Sequence, residues 1–304
     1  MADTYTSGSD FFRKQLSALW VAVGVVVLAA GLVFSWWQNA SINPQAVFWG
    51  MVSQSMSTPG FTLGESQASA GSGAQGLVQF GFGPTKEARV ITTLAQNGAA
   101  VKTQTLETPT RSYTQYVSIT PSAGAHLNKL AFANALGVWA DTSAGNASPD
   151  KGLPAIFNQV LLSLPLPFGN LTSAQRSNLL QLIQQSTVYV AGFANVKKQT
   201  SGGRLQYVYT VQVEPVAYVR LMQQYADDMG MHELDKVDPE SYVSQQATTL
   251  TWTVDARARQ LVAVKYAGTN ESETYSSYGV PIGAAVPAHP ISASELDSRL
   301  TQAL

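Results

Sequence analysis

The chain has 304 residues, a formal net charge of −1 and no cysteine. Charged residues make up only 12% of it, about half the usual share of a soluble domain. Nucleic-acid binding is excluded as a function class, because it needs a clustered basic surface and the two signs of charge are interspersed here. The lack of cysteine also excludes disulfides, thiol catalysis, cysteine-ligated zinc and anchoring through a lipidated cysteine.

An uncharged apolar segment near the N-terminus predicts a transmembrane helix. It runs from Leu16 to Trp37, and its 22 residues would span about 33 Å, compared with a hydrocarbon core of about 30 Å. Trp20 lies near one end, and Trp36 and Trp37 lie at the other, where aromatic side chains anchor a span at the interface. We therefore expect a membrane anchor over residues 15–38.

The charges that flank this segment predict its orientation. Arg13 and Lys14 precede it, and no further lysine or arginine follows until Lys86. Cytoplasmic flanks carry the excess of positive charge. Residues 1–14 are therefore predicted to be a short cytoplasmic tail and residues 39–304 an extracytoplasmic domain, in a single-pass protein of the cell membrane.

A cleaved signal peptide is the alternative interpretation of the same segment. Its apolar region is usually shorter, about 7–15 residues, and small residues follow it at the cleavage site. Ala40 offers a weak cleavage site, whereas bulky Phe34, Trp36 and Trp37 occupy the preceding positions. The sequence favours an uncleaved anchor.

Helical patterns recur along the outer region. Pro44 suits a first helical position, and the apolar face that follows consists of Val47, Phe48, Met51, Val52 and Ser55. Further helices are predicted within Leu153–Ile183, where Pro165 ends the first and Thr172 caps the second, from Pro215 to a stop at Gly230, at Asp238-Pro239-Glu240 and after a capping box at Ser292.

Strand-like segments lie between these helices. Asn97-Gly98 predicts a tight hairpin turn, and the small residues of Gly64–Gly76 are predicted to form an exposed loop. The predicted strands are Leu77–Phe82, Ala88–Gln96, Ala99–Glu107, Ser112–Ile119, Thr187–Asn195, Arg204–Val213, Thr248–Asp255 and Gln260–Tyr266. Helices and strands do not alternate strictly, so the fold class is α+β. Two domains are the alternative, since Asp141–Gly152 has the composition of a linker.

Several short motifs resemble those of the LolA/LppX-like group of bacterial envelope proteins. They are Trp252-x-Val254-Asp255, Tyr275-x-x-Tyr278-Gly279-x-Pro281, Gly137–Asp141 and Pro44–Met56. The resemblance covers residues 44–290 and implies a curved, half-open antiparallel sheet with helices packed on its concave face, enclosing an apolar cavity for acyl chains or lipid-linked molecules. Many members of that group are lipoproteins, whereas this chain lacks the cysteine that carries the lipid, and the predicted transmembrane helix takes the place of the lipid anchor.

Apolar side chains on two strands and one helix are the candidates for lining such a cavity: Phe157, Leu161, Leu205, Tyr207, Tyr209, Val211 and Trp252. The alternative is that these side chains touch one another and form a closed core, and large apolar residues suit both arrangements.

Catalytic and metal-binding motifs are weak throughout the chain. Ser148 and Lys151 match S-x-x-K without its partner motifs, and Ser66 only faintly resembles a nucleophile elbow. The acidic residues around His232 lack the spacing of an EF-hand. We expect no enzyme activity, no metal and no cofactor.

Three functions are compatible with the sequence. The first is a membrane-tethered protein that binds or hands on a lipid or other apolar ligand. The second is a structural or adhesive surface protein with a packed core. The third, more remote, is an envelope hydrolase.

Overall fold

The computed structural model describes residues 26–33, 43–69, 72–84, 86–108, 111–122, 133–143, 155–280, 282 and 286–303. Residues 26–33 are helical and exposed. Within the described ranges, no helix is long and apolar enough to cross a membrane. The other residues of the predicted anchor lie outside these ranges, including Trp20, Trp36 and Trp37, as do Arg13 and Lys14, so the anchor and its orientation stay predictions.

Besides the helical residues 26–33, the structure has five α-helices in its described part: α1 (Pro44–Ser55), α2 (Ala155–Ser163), α3 (Ser173–Gln185), α4 (Pro215–Met229) and α5 (Ala293–Ala303). A 3-10 helix follows α4 at Pro239–Tyr242.

Thirteen strands are described. The first five form a meander: β1 (Gly60–Ser69), β2 (Ser72–Phe82), β3 (Lys86–Gln96), β4 (Ala99–Glu107) and β5 (Ser112–Thr120). The others are β6 (Ala140–Asp141), β7 (Tyr189–Ala191), β8 (Lys197–Ser201), β9 (Arg204–Val213), β10 (Thr248–Asp255), β11 (Gln260–Tyr266), β12 (Ser272–Ser276) and β13 (Ile291–Ser292).

All thirteen strands belong to one open sheet in the order β13-β6-β5-β4-β3-β2-β1-β12-β11-β10-β9-β7, with β8 pairing beside β9. Every pairing is antiparallel except that of β13 with β6. The predicted α+β class with a large, mainly antiparallel sheet is confirmed. Strands on both sides of residues 144–154 share this sheet, because β1 pairs with β12.

Local signals explain where α1 begins and which face it buries. Asn43 Oδ1 accepts hydrogen bonds from the backbone N–H groups of Gln45 and Ala46, at 2.9 and 3.4 Å, and Pro44 fills the first position. The predicted apolar face of this helix is confirmed, since all five of its residues are buried.

The ends of α3 and α4 also follow from their sequence. Thr172 and Gln175 form a reciprocal capping box at the start of α3. Pro215 opens α4, and Gly230 ends it in the left-handed conformation with φ of 72°. The predicted bounds of α4 are therefore confirmed.

The loop prediction for Gly64–Gly76 is wrong, because most of this segment forms β1 and β2. Its backbone pairs with β12 on one side and β3 on the other, and this pairing overrides the low strand propensity of small residues. An added Cβ at Gly64 would lie 2.6 Å from Thr274 Oγ1, so a larger residue there would force the Thr274 side chain to move.

The strand prediction for Thr187–Asn195 is too long. Only Tyr189–Ala191 pairs with β9, whereas the hairpin partner of β9 is β8. Gly202 and Gly203 turn that hairpin with φ of 56° and 74°. The β8 residues are all exposed and polar, which hides them from a search for apolar alternation.

One face of the sheet, the inner face, carries the hydrophobic core. The register places Phe61 and Phe80 opposite each other on this face, and Tyr209 opposite Trp252. The described helices α1 to α4 supply most of the remaining core residues.

Candidate functional site

The seven predicted cavity residues lie mostly in the closed core. Six of them are buried, from 0% exposure for Trp252 to 8% for Phe157, while Leu205 is 38% exposed at the start of β9. The predicted residues are brought together with the α1 side chain Phe48. Phe48 stacks on Trp252 and contacts the Tyr209 ring edge-to-face at 5.4 Å between centroids.

Hydrogen bonds add to this packing. The Tyr209 hydroxyl donates to the carbonyl of Pro44 at 2.8 Å, which ties the start of α1 to β9. The Trp252 indole nitrogen is buried without a hydrogen-bond partner among the residues described. That these side chains line a ligand cavity stays a prediction.

A pocket of about 350 Å³ lies elsewhere, between the end of α2, the start of α4 and the strands β9 to β11. Its apolar wall consists of Pro165, Val213, Pro215, Val219 and Leu250. None of the seven predicted residues lines it. Sequence reasoning missed it because its walls come from segments far apart in the chain.

Aromatic and small polar side chains complete the walls of the pocket: Ser163, Tyr218, Tyr242, Gln245, Thr248 and Tyr266. The Tyr218 hydroxyl donates to the carbonyl of Leu164 at 2.5 Å, which joins α4 to the segment after α2. Burial raises the pKa of Tyr218, and the nearby charge of Glu273 adds to the effect. Tyr218 is therefore a neutral hydrogen-bond donor at physiological pH.

Glu273 of β12 lies directly behind one wall of the pocket. Its carboxylate accepts a hydrogen bond from Tyr266 at 2.5 Å and another from Tyr275. Burial raises the pKa of Glu273, while these two hydrogen bonds oppose the rise. Glu65 is its direct partner across the β1–β12 ladder, and burial followed by the charges of Glu273 and Glu271 raises the pKa of Glu65.

A second buried carboxylate, Glu107 at the end of β4, stands apart from the pocket. It is fully buried, and neither carboxylate oxygen has a hydrogen-bond partner among the described residues. Burial raises its pKa to about 7, and the nearby backbone of Phe157 at the start of α2 opposes this only partly. Glu107 lies between Ala88 and Ser112 on the neighbouring strands.

Among the described residues, the structure does not bring the weak catalytic and metal-binding motifs together into a site. Ser148 and Lys151 lie outside the described ranges, and Ser66 lies within β1, away from any strand-to-helix turn. His232 forms a 3.3 Å contact with Asp235 on the surface. Across the described part of the chain, no group of three or more histidine, aspartate or glutamate residues is placed to hold a metal ion.

No protein-family model matches this chain, and no curated protein sequence matches it. The resemblance to the LolA/LppX-like group therefore rests on the motifs themselves. Residues of two motifs belong to the core or pack against it: Trp252 is fully buried in the core, and Tyr278 packs against it and donates a hydrogen bond to the carbonyl of Leu261 at 2.7 Å.

Proposed function

We propose that this protein is a membrane-tethered, extracytoplasmic binding protein that takes a lipid or other apolar molecule in the pocket between α2, α4 and β9–β11. The observation that supports this proposal is the pocket itself. Its volume of about 350 Å³ lies at the lower end of the range of ligand sites, roughly 300–1,000 Å³. Its lining combines an apolar wall with a few polar groups, as such sites do.

The proposal includes the finer architecture implied by the resemblance. The sheet is curved and half open, the helices lie on its concave face, and an N-terminal transmembrane helix tethers residues 39–304 to the bilayer of a bacterial envelope. A tethered protein binds or hands on its ligand beside the membrane and does not diffuse away from it. No catalytic step and no cofactor is part of this proposal.

Native mass spectrometry of the detergent-extracted full chain tests the binding. We expect a co-purifying apolar molecule on the wild-type protein and its loss in Val219→Trp, because the indole fills the pocket from α4. Val117→Trp is the matched control, since Val117 is 40% exposed on β5, far from the pocket in the strand order. Equal occupancy in both variants would reject the pocket as the binding site.

The proposed topology has its own test. Protease added to intact cells or spheroplasts should digest residues 39–304 and leave only a small N-terminal fragment. Protection of the large domain from the protease would reject the topology without bearing on the pocket.

One observation favours a structural or adhesive role as the second candidate. The meander β2–β5 extends beyond the core with exposed apolar residues, including Leu94 at 55% exposure and Leu77 at 36%. In this case the wild-type protein should carry no ligand, and cells that lack it should lose attachment to a surface or neighbouring cell. A bound ligand together with unchanged attachment would count against this role.

A further inference from the structure

The pocket has a chemically distinct side where the tyrosine wall meets β12. Tyr266 lines the pocket, and its hydroxyl donates a hydrogen bond to Glu273 at 2.5 Å. The Glu273 carboxylate therefore lies one side chain behind the wall. Glu273 is half-buried, whereas Glu65, its cross-strand partner on the same face, is more exposed, with its carboxyl group only partly screened from water. The carboxylates therefore continue from behind the pocket onto the open part of the inner face.

Like charges that lie directly opposite each other on a sheet are destabilising. Neither Glu65 nor Glu273 is in an ion pair with a lysine, arginine or histidine of the described chain. The residues that line the pocket include no cation either. This arrangement repels an anionic head group and would be stabilised by a positive charge.

Two nearby positive features would attract an anionic head group, but both are weaker than the carboxylates. The positive end of the α4 dipole reaches the pocket at Pro215, but that residue has no N–H, and a helix end carries only about half a unit charge. Arg220, the next residue after Val219 in α4, is held in an ion pair with Glu240. The two carboxylates therefore outweigh these features in determining which sign of charge this side of the pocket favours.

We propose that the pocket selects an amphiphile with a cationic head group, such as an amine or a quaternary ammonium. Its apolar chain lies against Val219 and Leu250, and its head lies over the Tyr266 ring towards Glu273 and Glu65. A cation over an aromatic ring adds attraction to that of the carboxylates. This inference rests on the proposed binding function and specifies the ligand class of the same pocket.

Photolabelling of the full chain in nanodiscs tests the preference for a cationic head group. Two probes carry the same diazirine-bearing alkyl chain, one with a trimethylammonium head and the other with a carboxylate head. Peptide mass spectrometry then measures labelling of residues 163–165, 215–219 and 242–250. We expect the ammonium probe to label these peptides at least fivefold more than the carboxylate probe.

The double variant Glu65→Gln/Glu273→Gln should bring that ratio close to one while labelling by the ammonium probe falls. Asp297→Asn is the matched control, since it removes an exposed negative charge on α5, and it should keep the wild-type ratio. Val219→Trp should lose labelling by both probes, which separates the pocket from partition into the bilayer.

The outcomes distinguish the two proposals. Equal labelling by both probes in wild type, abolished by Val219→Trp, would overturn the cationic preference and keep the binding function. A preference that survives the double glutamine variant would also overturn it. Labelling by either probe that Val219→Trp leaves unchanged would reject the pocket itself, and the inference with it.

Discussion

The Phe48 ring of α1 stacks on the Trp252 indole of β10, with 5.6 Å between centroids and 12° between planes. This contact lies between helix and sheet, where the sequence left a cavity and a closed core as alternatives. Both side chains are fully buried, and Phe48 also contacts Phe193 edge-to-face. The pocket of about 350 Å³ lies at the start of α4.

Phe48→Ala should cost about 3–5 kcal/mol of unfolding free energy, because a large buried ring is removed from a close-packed site. Urea denaturation followed by tryptophan fluorescence measures the loss. Gln45→Ala on the exposed side of the same helix is the control and should change stability by less than about 0.5 kcal/mol. A small effect of Phe48→Ala would show that α1 contributes little to the core.

Val211→Trp and Val219→Trp separate the packed core from the pocket. Val211 is fully buried on β9, so the larger ring should overpack the core and cost about 1–3 kcal/mol or more. Val219 lines the pocket, where the indole should enter existing space at a much lower cost. Thermal melts of both variants, made in protein freed of bound lipid, compare them. Equal losses would mean that the pocket is as tightly packed as the core.

Glu107 should make the stability of the protein depend on pH. Its pKa in the folded chain, about 7, lies above the ordinary value of 4.5. The folded state therefore holds the proton more tightly, and its stability falls as the pH rises from about 4.5 through 7. The full effect is roughly 3 kcal/mol by the size of the shift.

Glu107→Gln removes this titration and keeps the shape of the side chain. The variant should gain stability relative to wild type at pH 8.5 and lose that advantage at pH 4. Asp297→Asn, an exposed change of the same charge, should show no such crossover. Parallel stability curves for wild type and Glu107→Gln would mean that Glu107 is charged and compensated in the folded chain.

Thr172→Ala should lower stability by about 1 kcal/mol, because it removes one half of the capping box of α3. Thr172→Ser keeps the hydroxyl and should restore most of the loss, which chemical denaturation measures. Failure of the serine variant to restore stability would place the effect in the lost methyl group and not in the cap.

Local chemistry decided which elements the sequence could predict. The β3–β4 hairpin and α4 were predictable because Asn97 and Gly98 take positive φ and because Pro215 and Gly230 mark the helix ends. The strand character of Gly64–Gly76 was not, since it depends on pairing of its first residues with β12, about two hundred residues later, and of its last residues with β3.

The candidate site was less predictable than the fold. Alternation along β9 predicted one apolar face, of which Tyr207, Tyr209 and Val211 are buried and Leu205 is exposed. Alternation is the same for a core and for a cavity, and it does not show that Phe48 stacks on Trp252. The pocket between Ser163 and Tyr266 depends on how distant segments meet, and no local pattern records that.

The pairing of β1 with β12 also bears on how the chain is made. The Thr274 hydroxyl donates to the carbonyl of Gly64 across 210 residues, so the β12 side of β1 finds its partner only after that length of chain has been synthesised. Until then that edge exposes unpaired backbone groups, the kind of surface that recruits other strands and promotes aggregation. Contacts this distant in sequence slow folding. A nascent chain held at a membrane by its N-terminus would have to keep this edge from neighbouring chains, and a chaperone that covers β1 would raise the yield of folded protein.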